Sequence, residues 1–164
     1  MSDGWFVVNI RDAAWEDHDV FGACCTSESP NSKFAELGFR LCVLQPGQPN
    51  GLYHGEETQE AFLVLAGECL LLVEGEERRL RAWDFFHCPG GTEHVFVGAG
   101  DGPCTVLMTG ARRPGRPIFY PRAEVAVRHG AAAEKETSNP REAYAGYPDD
   151  RVERPGSWSE LPWA

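Results

Sequence analysis

The region from residue 38 to residue 110 is a succession of strand-length segments, most of them bounded by glycine, proline or aspartate. Short strands with such punctuation pack as an antiparallel sandwich or barrel, because a turn reverses the chain after each one. The segments span residues 39–44, 52–56, 60–65, 68–74, 77–80, 85–88, 94–97 and 105–109. This pattern predicts an all-β fold.

Glycine and proline indicate where the chain turns between these segments. Gly75 supplies the positive φ of a tight hairpin after residues 68–74, and Gly67 turns the chain after residues 60–65. The run Pro-Gly-Gly at residues 89–91 must be a turn, since proline cannot donate to a β-ladder and glycine adopts backbone conformations closed to other residues. That turn positions His94 at the start of the next strand.

The chain of 164 residues suits one domain with an arm at each end. Residues 1–37 contain an apolar run at 5–10, predicted to be a strand, and then a long polar loop. Residues 111–164 are rich in proline, arginine and alanine, with a helical turn or two within 124–135. We expect the tail aromatics to pack on the core of residues 38–110 or on a second subunit of a homodimer: Tyr144, Tyr147, Trp158 and Trp163.

The charge of the chain argues against a nucleic-acid partner and favours a small molecule. Lys and Arg total 15 against 25 acidic residues, a formal net charge of −10, whereas nucleic-acid surfaces need clustered positive charge. Arg112, Arg113 and Arg116 form one basic cluster, but the intervening prolines and glycine favour a solvated turn over an anion site. With no leader and only strand-sized apolar runs, we expect a cytoplasmic protein without a membrane partner.

Six cysteines, at positions 24, 25, 42, 69, 88 and 104, show no Cys-x-x-Cys spacing typical of zinc sites. In a cytoplasmic protein we expect all six to be free thiols, most of them buried as small core residues. Cys88 precedes Pro89 and can either pack in the core or face a pocket, with packing favoured.

Residue types that bind metal ions occur in two blocks. His54 and Glu56 are two residues apart, so they share a face of an extended strand, and Glu60 can reach the same space from the next strand. His94 would complete the set from a distant strand. A carboxylate at the start of the apolar run 60–65 would be costly to bury without a cation. Imidazole with carboxylate suits a divalent transition metal or zinc better than calcium.

The spacing of these blocks resembles the two motifs of the cupin family over residues 38–110. The first motif is carried by His54, Gly55, Glu56, Glu60 and Gly67, and the second by Trp83, Pro89, Gly91, His94 and Gly98. Glu56 stands where the family has a second histidine, Trp83 where it has glycine, and Gly98 where it has asparagine. The paired motifs at the right separation are a fairly specific signal.

The resemblance implies a double-stranded β-helix barrel, also called a jelly roll, with a divalent metal ion bound by His54, Glu60 and His94, joined by Glu56. The ion would be zinc, iron or manganese. One hypothesis is an enzyme acting on a small oxygen-bearing molecule, as an isomerase, lyase or dioxygenase. The alternative is a non-catalytic module that binds a sugar or sugar phosphate and holds a structural metal.

For the remaining candidate residues, a purely structural role is the favoured interpretation. His87 alternates with Cys88, and its face is not determined by the sequence. Tyr53 and Arg40 flank the expected cavity, where strand packing explains them as well as substrate contact does. His18 and His129 are expected on the surface, because neither lies in a pattern of metal-binding residues. The acidic residues around His18 are interpreted as a solvated loop.

Overall fold

The computed structural model describes residues 5–28 and 33–163, which fold into eleven β-strands and short helices. In chain order the strands are β1 (Ala14–His18), β2 (Gly22–Thr26), β3 (Leu37–Leu44), β4 (His54–Glu56), β5 (Glu60–Ala66), β6 (Glu68–Val73), β7 (Glu76–Arg81), β8 (Phe85–Cys88), β9 (Glu93–Ala99), β10 (Cys104–Ala111) and β11 (Ile118–Phe119). The helices are α1 (Glu124–Arg128), α2 (Pro140–Ala143) and two 3-10 turns, Ile10–Asp12 and Trp158–Glu160.

The strands form two antiparallel sheets. One has six strands in the order β1-β2-β3-β10-β5-β8, and the other has five in the order β11-β4-β9-β6-β7. All eight predicted segments are strands, with ends that differ by no more than two residues from the expected ones. The all-β prediction is therefore confirmed as a mostly β chain with two antiparallel sheets. The boundaries of the two arms stay a prediction.

The turns also follow the sequence. The hairpin between β6 and β7 has positive φ at both Glu74 and Gly75, which matches the right-handed twist of the strands. Gly67 turns the chain between β5 and β6 with a φ of 71°. Gly91 also has positive φ, and its N–H donates to the carbonyl of Glu56 at 2.6 Å. The turn before β9 is thus tied directly to β4.

The amino-terminal region differs from the expectation. Residues 5–9 lie outside the strands, so the predicted strand at 5–10 is wrong, and the predicted loop instead contains the hairpin β1–β2 paired with β3. Trp15 and Cys25 are buried on one side of this hairpin, while Glu16 is exposed. Acidic side chains on an edge strand are stable in water, but they mask the apolar alternation that would reveal the strand in the sequence.

Two of the cysteines form a disulfide bond, so the expectation of six free thiols is wrong. Cys24 on β2 lies opposite Cys42 on β3, and the two sulfurs are bonded. Cys25 points to the opposite face because side chains alternate along a strand. The other four cysteines are free and buried: Cys25, Cys69, Cys88 and Cys104. The free-thiol argument for a reducing compartment does not hold for the bonded pair.

The main core lies between the two sheets. Phe62 from the six-stranded sheet packs against Phe96 from the other, with ring centroids 4.8 Å apart. Leu44 and Val64 face Leu71 in the same cluster. Removing this apolar surface from water is the main force that joins the sheets, at about 25 cal/mol per Å² buried. The inner face of each strand is fixed by this core, and with it the direction of every inward polar side chain.

Helix α1 covers the outer face of the five-stranded sheet. Val125 and Ala126 of the helix pack against Leu72 on β6 and Val97 on β9. Strand β6 is consequently buried on both faces, which explains why its sequence is a continuous apolar run and not an alternating one. The predicted helical turn within residues 124–135 is present as this helix.

Two of the carboxy-terminal aromatics, Trp158 and Trp163, pack on the outer face of the six-stranded sheet, while Tyr144 and Tyr147 pack in a separate cluster with Phe21 and Tyr120. Trp158 lies edge-on to Trp15 with ring centroids 5.5 Å apart, and Trp163 lies 5.8 Å from the same ring. Leu161 between them is buried against the same sheet. The tail therefore covers apolar surface of its own chain.

His18 is buried, which corrects the expectation of a surface residue. Its Nδ1 accepts hydrogen bonds from the backbone N–H groups of Val20 and Phe21 at 3.0 and 3.2 Å. Its Nε2 therefore carries the proton and donates to the carbonyl of Pro148 at 2.9 Å. This histidine joins the β1–β2 turn to the carboxy-terminal segment. His129 is partly exposed, with Nε2 3.0 Å from a carboxylate oxygen of Glu77.

Among the described residues, no helix is long and apolar enough to cross a membrane.

The disulfide predicts the number of reactive thiols. Alkylation of the unfolded protein without reductant should modify four cysteines, and two more should react only after reduction. Intact mass measurement of the alkylated protein gives the count. A Cys24→Ser variant should expose Cys42 as a fifth reactive thiol in the unreduced protein. Six modified cysteines without reductant would contradict the bond.

Gly90 predicts a stability difference between two glycine substitutions. A Cβ at this position would lie 2.2 Å from the carbonyl oxygen of Glu57, so Gly90→Ala must displace backbone. We expect a loss of roughly 1–3 kcal/mol in the free energy of unfolding. Gly102, where a Cβ meets nothing within 4 Å, supplies the matched control. Equal denaturation midpoints for Gly90→Ala and Gly102→Ala would refute the close contact.

Candidate metal site

Two histidines lie directly opposite each other on adjacent strands. In the register of β4 with β9, His54 pairs with His94, and their ring centroids are 5.3 Å apart. Opposite residues in an antiparallel pair project to the same face of the sheet. Phe96, two residues beyond His94, is in the core between the sheets, so both imidazoles point inward.

Glu60 approaches the histidines from the other sheet. It is the first residue of β5, where it pairs with Gly110 on one side and Cys88 on the other. One donor atom from each of His54, Glu60 and His94 lies within 4.8 Å of the other two. The structure therefore brings together three of the four predicted ligands, and these three can hold a metal ion.

Hydrogen bonds at the far side of each imidazole determine which nitrogen is free. His54 Nδ1 lies 2.7 Å from the carbonyl oxygen of Leu52, and His94 Nδ1 lies 3.1 Å from that of Thr92. A carbonyl only accepts, so each Nδ1 carries the proton and donates. Each Nε2 then has a lone pair available as a ligand. Backbone partners of this kind orient metal-binding histidines and fix their tautomer.

The Glu60 carboxylate has a buried oxygen without a partner. Its Oε2 makes no hydrogen bond to any residue within 5–28 or 33–163, and it lies 3.7 Å from His94 Nε2, beyond hydrogen-bonding distance. A buried polar atom without a partner costs free energy. A cation between Glu60 Oε2 and the Nε2 atoms of His54 and His94 would give each of these three ligand atoms a partner. The residues present therefore fit a divalent metal ion.

Burial sets the protonation of the site. It raises the pKa of Glu60 to about 7, with a further rise from the Glu56 carboxylate and an opposing effect of Arg116. Burial lowers the pKa of His94 to about 4, assisted by the nearby His54 ring. The pKa of His54 is also lowered, again chiefly by burial. Both imidazoles are therefore neutral near pH 7, the form that binds metals.

Glu56 enters the cavity but its carboxylate lies outside the three-residue group. It shares the inward face of β4 with His54 and is nearly fully buried. Its Oε2 accepts a 2.9 Å ion-pair contact from Arg116 Nε, and the hydroxyl of Thr58 lies 3.4 Å from the same oxygen. Arg116 thus holds the carboxylate that the sequence assigns as a fourth ligand, and that assignment stays a prediction.

A cavity of about 340 Å³ opens above the three donors. Its wall includes Tyr120, whose ring lies 5.6 Å from that of His54. Burial raises the pKa of the Tyr120 phenol, and the neighbouring Tyr144 and Glu56 raise it further. The phenol is therefore protonated at neutral pH and can donate a hydrogen bond to a ligand in the cavity.

Three other sequence candidates, Cys88, His87 and Tyr53, lie outside the cavity wall. Cys88 is buried behind His94, with Sγ 3.5 Å from Nδ1, and burial raises the pKa of its thiol to about 12. Core packing is thus its role. His87 is exposed on the opposite face of β8. Tyr53 is fully buried beneath α1, where its hydroxyl accepts a hydrogen bond from the N–H of Gly75 at 3.1 Å.

Tyr120 and Arg116 are cavity residues that sequence reasoning missed. They come from the carboxy-terminal region, which β11 brings to the site by pairing Ile118 with Glu56 on β4. The apolar run around residue 118 signals packing but not its location. The sequence predicts a solvated turn for the basic cluster, and Arg116 is partly exposed although it contacts Glu56.

Comparison with known proteins agrees with this architecture. No curated protein matches the sequence. A sugar phosphate isomerase of the cupin superfamily from Silicibacter pomeroyi has a TM-score of 0.63 and 22% identity, over 71% of this chain and 82% of that one. The polyketide cyclase RemF from Streptomyces resistomycificus has a TM-score of 0.58 and 17% identity, over 68% of this chain and 83% of that one.

A third similar structure has a different activity again. The DMSP lyase DddQ from Ruegeria pomeroyi has a TM-score of 0.50 and 22% identity, over 73% of this chain and 57% of that one. Identities this low show a shared fold and do not transfer an activity. The family described as Cupin domain matches residues 40–110, the segment that carries His54, Glu60 and His94. Residues 40–110 are therefore identified as a cupin domain.

Proposed function

We propose that this protein is a metal-dependent enzyme that binds a divalent ion through His54, Glu60 and His94 and acts on a small oxygen-bearing molecule. The observation that carries the proposal is the position of the three donors at one side of an open cavity. Three protein ligands leave coordination positions for substrate, which is the usual arrangement of catalytic rather than structural metal sites.

The donor set restricts the metal. Two imidazoles and one carboxylate are typical of non-haem iron and of catalytic zinc, and manganese accepts the same ligands. Bound there, the ion would polarise a substrate oxygen as a Lewis acid, and iron would add redox chemistry with dioxygen. Isomerase, lyase and dioxygenase activities all use this chemistry. The known activities of similar structures, a sugar phosphate isomerase, a polyketide cyclase and a lyase, span several of these classes.

Glu56 and Tyr120 supply the general base and the hydrogen-bond donor that an enzyme needs beside its metal. Arg116 and Thr58 both contact Oε2 of Glu56, so Oε1 remains available to accept a proton from substrate. The protonated phenol of Tyr120 can donate to a substrate oxygen and orient it. We therefore assign Glu56 as the general base. If Arg116 moves away, the same carboxylate becomes the fourth metal ligand of the sequence prediction.

The alternative is a binding module that holds a sugar, a sugar phosphate or another small molecule without converting it. It requires the same metal and the same cavity, and differs in the absence of turnover. The Glu56 carboxylate beside the metal ligands favours the enzyme, because it is placed in the cavity where a general base is needed for turnover, and a binding module has no need of a base. A homodimer and a cytoplasmic location remain proposals that come from the sequence.

The ligand assignment predicts a loss of metal from three variants. His54→Ala, Glu60→Ala and His94→Ala should each reduce metal affinity by more than the roughly 10–100-fold typical of residues that only support a ligand. Metal content measured by mass spectrometry and metal-dependent thermal shift would both report the loss. In wild type, metal at 100 times its Kd should add about 2.7 kcal/mol to the free energy of unfolding.

His87→Ala supplies the control for this series, since His87 is exposed on the outer face of β8. It should bind metal as wild type does. Unchanged metal affinity in all three ligand variants would overturn the site. The variants should fold as wild type does, because the substitutions leave the core around Phe62 and Phe96 unchanged. Circular dichroism checks this.

The role of Glu56 predicts a separation of binding from turnover. Glu56→Gln should keep metal affinity within a few fold and reduce turnover by roughly 100-fold or more, since a general base contributes about 10²–10⁴-fold. A screen of sugars, sugar phosphates and small keto acids with the metal-loaded protein provides the assay. Metal loss in Glu56→Gln would instead make Glu56 a ligand. A screened molecule that binds wild type but is never converted would favour the binding module.

A further inference from the structure

Arg40 lies on the inner face of the six-stranded sheet among apolar side chains. Its cross-strand partner on β10 is Met108, which lies opposite Phe62 on β5. Cys42, two residues further along β3, is buried in the core between the sheets. Strand alternation therefore directs Arg40 to the inner face of the sheet, where its side chain remains exposed to solvent. Its side chain lines the metal-site cavity and an adjoining cavity of about 350 Å³.

The charge of Arg40 is not neutralised by contact with an acid. Arg112 pairs with Glu28 at 2.7 Å, and Arg116 pairs with Glu56 at 2.9 Å. No carboxylate within residues 5–28 or 33–163 lies within 4.0 Å of the Arg40 guanidinium. Arginine remains charged at every relevant pH. Arg40 thus presents a free positive charge to whatever occupies the cavity.

The inner row of residues next to Arg40 contains two glycines. Gly38 on β3 and Gly110 on β10 lie in one row with Glu60, the Arg112 side chain lies over Gly38, and the Glu60 side chain lies over Gly110. Arg40 and Glu60 belong to strands separated by β10 alone, which places their backbones on the order of 10 Å apart. A molecule of a few carbon atoms can span this distance.

Acidic residues on the far side direct an anion toward the metal. Glu16, Asp149 and Asp150 line the adjoining cavity, on the other side of Arg40 from the metal ligands. An anion paired with Arg40 is repelled by these carboxylates and attracted by a divalent ion at His54 and His94. The charges on either side of Arg40 therefore favour one orientation of a bound anion.

We infer that the substrate is a small anion whose carboxylate or phosphate group pairs with Arg40 while another of its oxygens binds the metal ion. This inference rests on the proposed metal centre and names the class of substrate that the centre takes. The planar guanidinium matches the two oxygens of a carboxylate or phosphate in a bidentate pair, which gives position as well as affinity. A neutral molecule of the same shape lacks this contact.

The test compares charged and neutral probes on the full chain loaded with Co²⁺, whose visible spectrum changes when a ligand coordinates. The probes are lactate with its neutral amide, and glycerol 3-phosphate with glycerol. Wild type should bind at least one anion about 10-fold more tightly than its neutral partner, and Arg40→Met should lose that preference. Arg113→Met, which changes an exposed arginine outside the cavity wall, should retain it.

The outcomes separate this inference from the metal assignment. Arg40→Met should keep the Co²⁺ content of wild type, because Arg40 is not a ligand. Isothermal titration calorimetry measures binding of the same probes without relying on the Co²⁺ spectrum. If it shows an anion preference that depends on Arg40 in protein that binds no Co²⁺, the anion site stands and the metal centre fails. Equal affinity of wild type for charged and neutral probes, no binding of either anion, or a preference that survives in Arg40→Met would each overturn the inference. The pair of anions distinguishes a carboxylate from a phosphate substrate.

Discussion

The apolar core shared by the two sheets is the constraint on which the rest of the structure depends. Phe62 and Phe96 meet at its centre, and the ring of His94 lies 5.0 Å from Phe62. Once these aromatics are buried, the alternation of β5 and β9 directs Glu60 and His94 to the same end of the core. The candidate metal ligands therefore converge because the core orients their strands, although they are far apart in the sequence.

Convergence of polar groups at the end of an apolar core has an energetic cost. The site contains two neutral imidazoles and a carboxylate with a buried, unpartnered oxygen, and burial shifts the pKa of Glu60 upward and that of His94 downward. Both pKa shifts have the same cause, because burial disfavours the charged form of each side chain. A divalent ion would offset this penalty by giving each ligand atom a partner, so the same buried polar groups favour metal binding.

Three arginines give the cavity its charge pattern in an otherwise acidic chain. Arg116 holds Glu56, Arg112 holds Glu28, and Arg40 has no acid in contact with it among the described residues. The net charge of −10 conceals this local excess, because net charge averages over the whole surface. Affinity for an anion depends instead on the few charges close to it, because the interaction between two charges weakens with distance and is screened by salt.

The fold of the central region could be predicted from the sequence because its signals are local. Turn glycines such as Gly67 and Gly75 and the strand-length apolar runs act within a few residues, so the eight strands and the hairpins follow from them. The spacing of His54, Glu56 and Glu60, which lets their side chains reach the same space, is a local signal as well. Where these signals are weak, as in the acidic edge strand β1, the sequence prediction was wrong.

Contacts between distant segments required the tertiary structure. The pairing of Cys24 with Cys42, the burial of His18 against Pro148, and the approach of β11 to β4 all depend on which strands lie side by side. Pairing of this kind is decided by the packing of whole sheets, to which each residue contributes only a small part of the free energy. The sequence by itself determined which residues could serve as metal ligands and the class of fold that presents them. Tertiary structure decided that Arg116 holds Glu56, that Tyr120 lines the cavity and that Arg40 faces it, because those side chains meet only after the two sheets bury their common core.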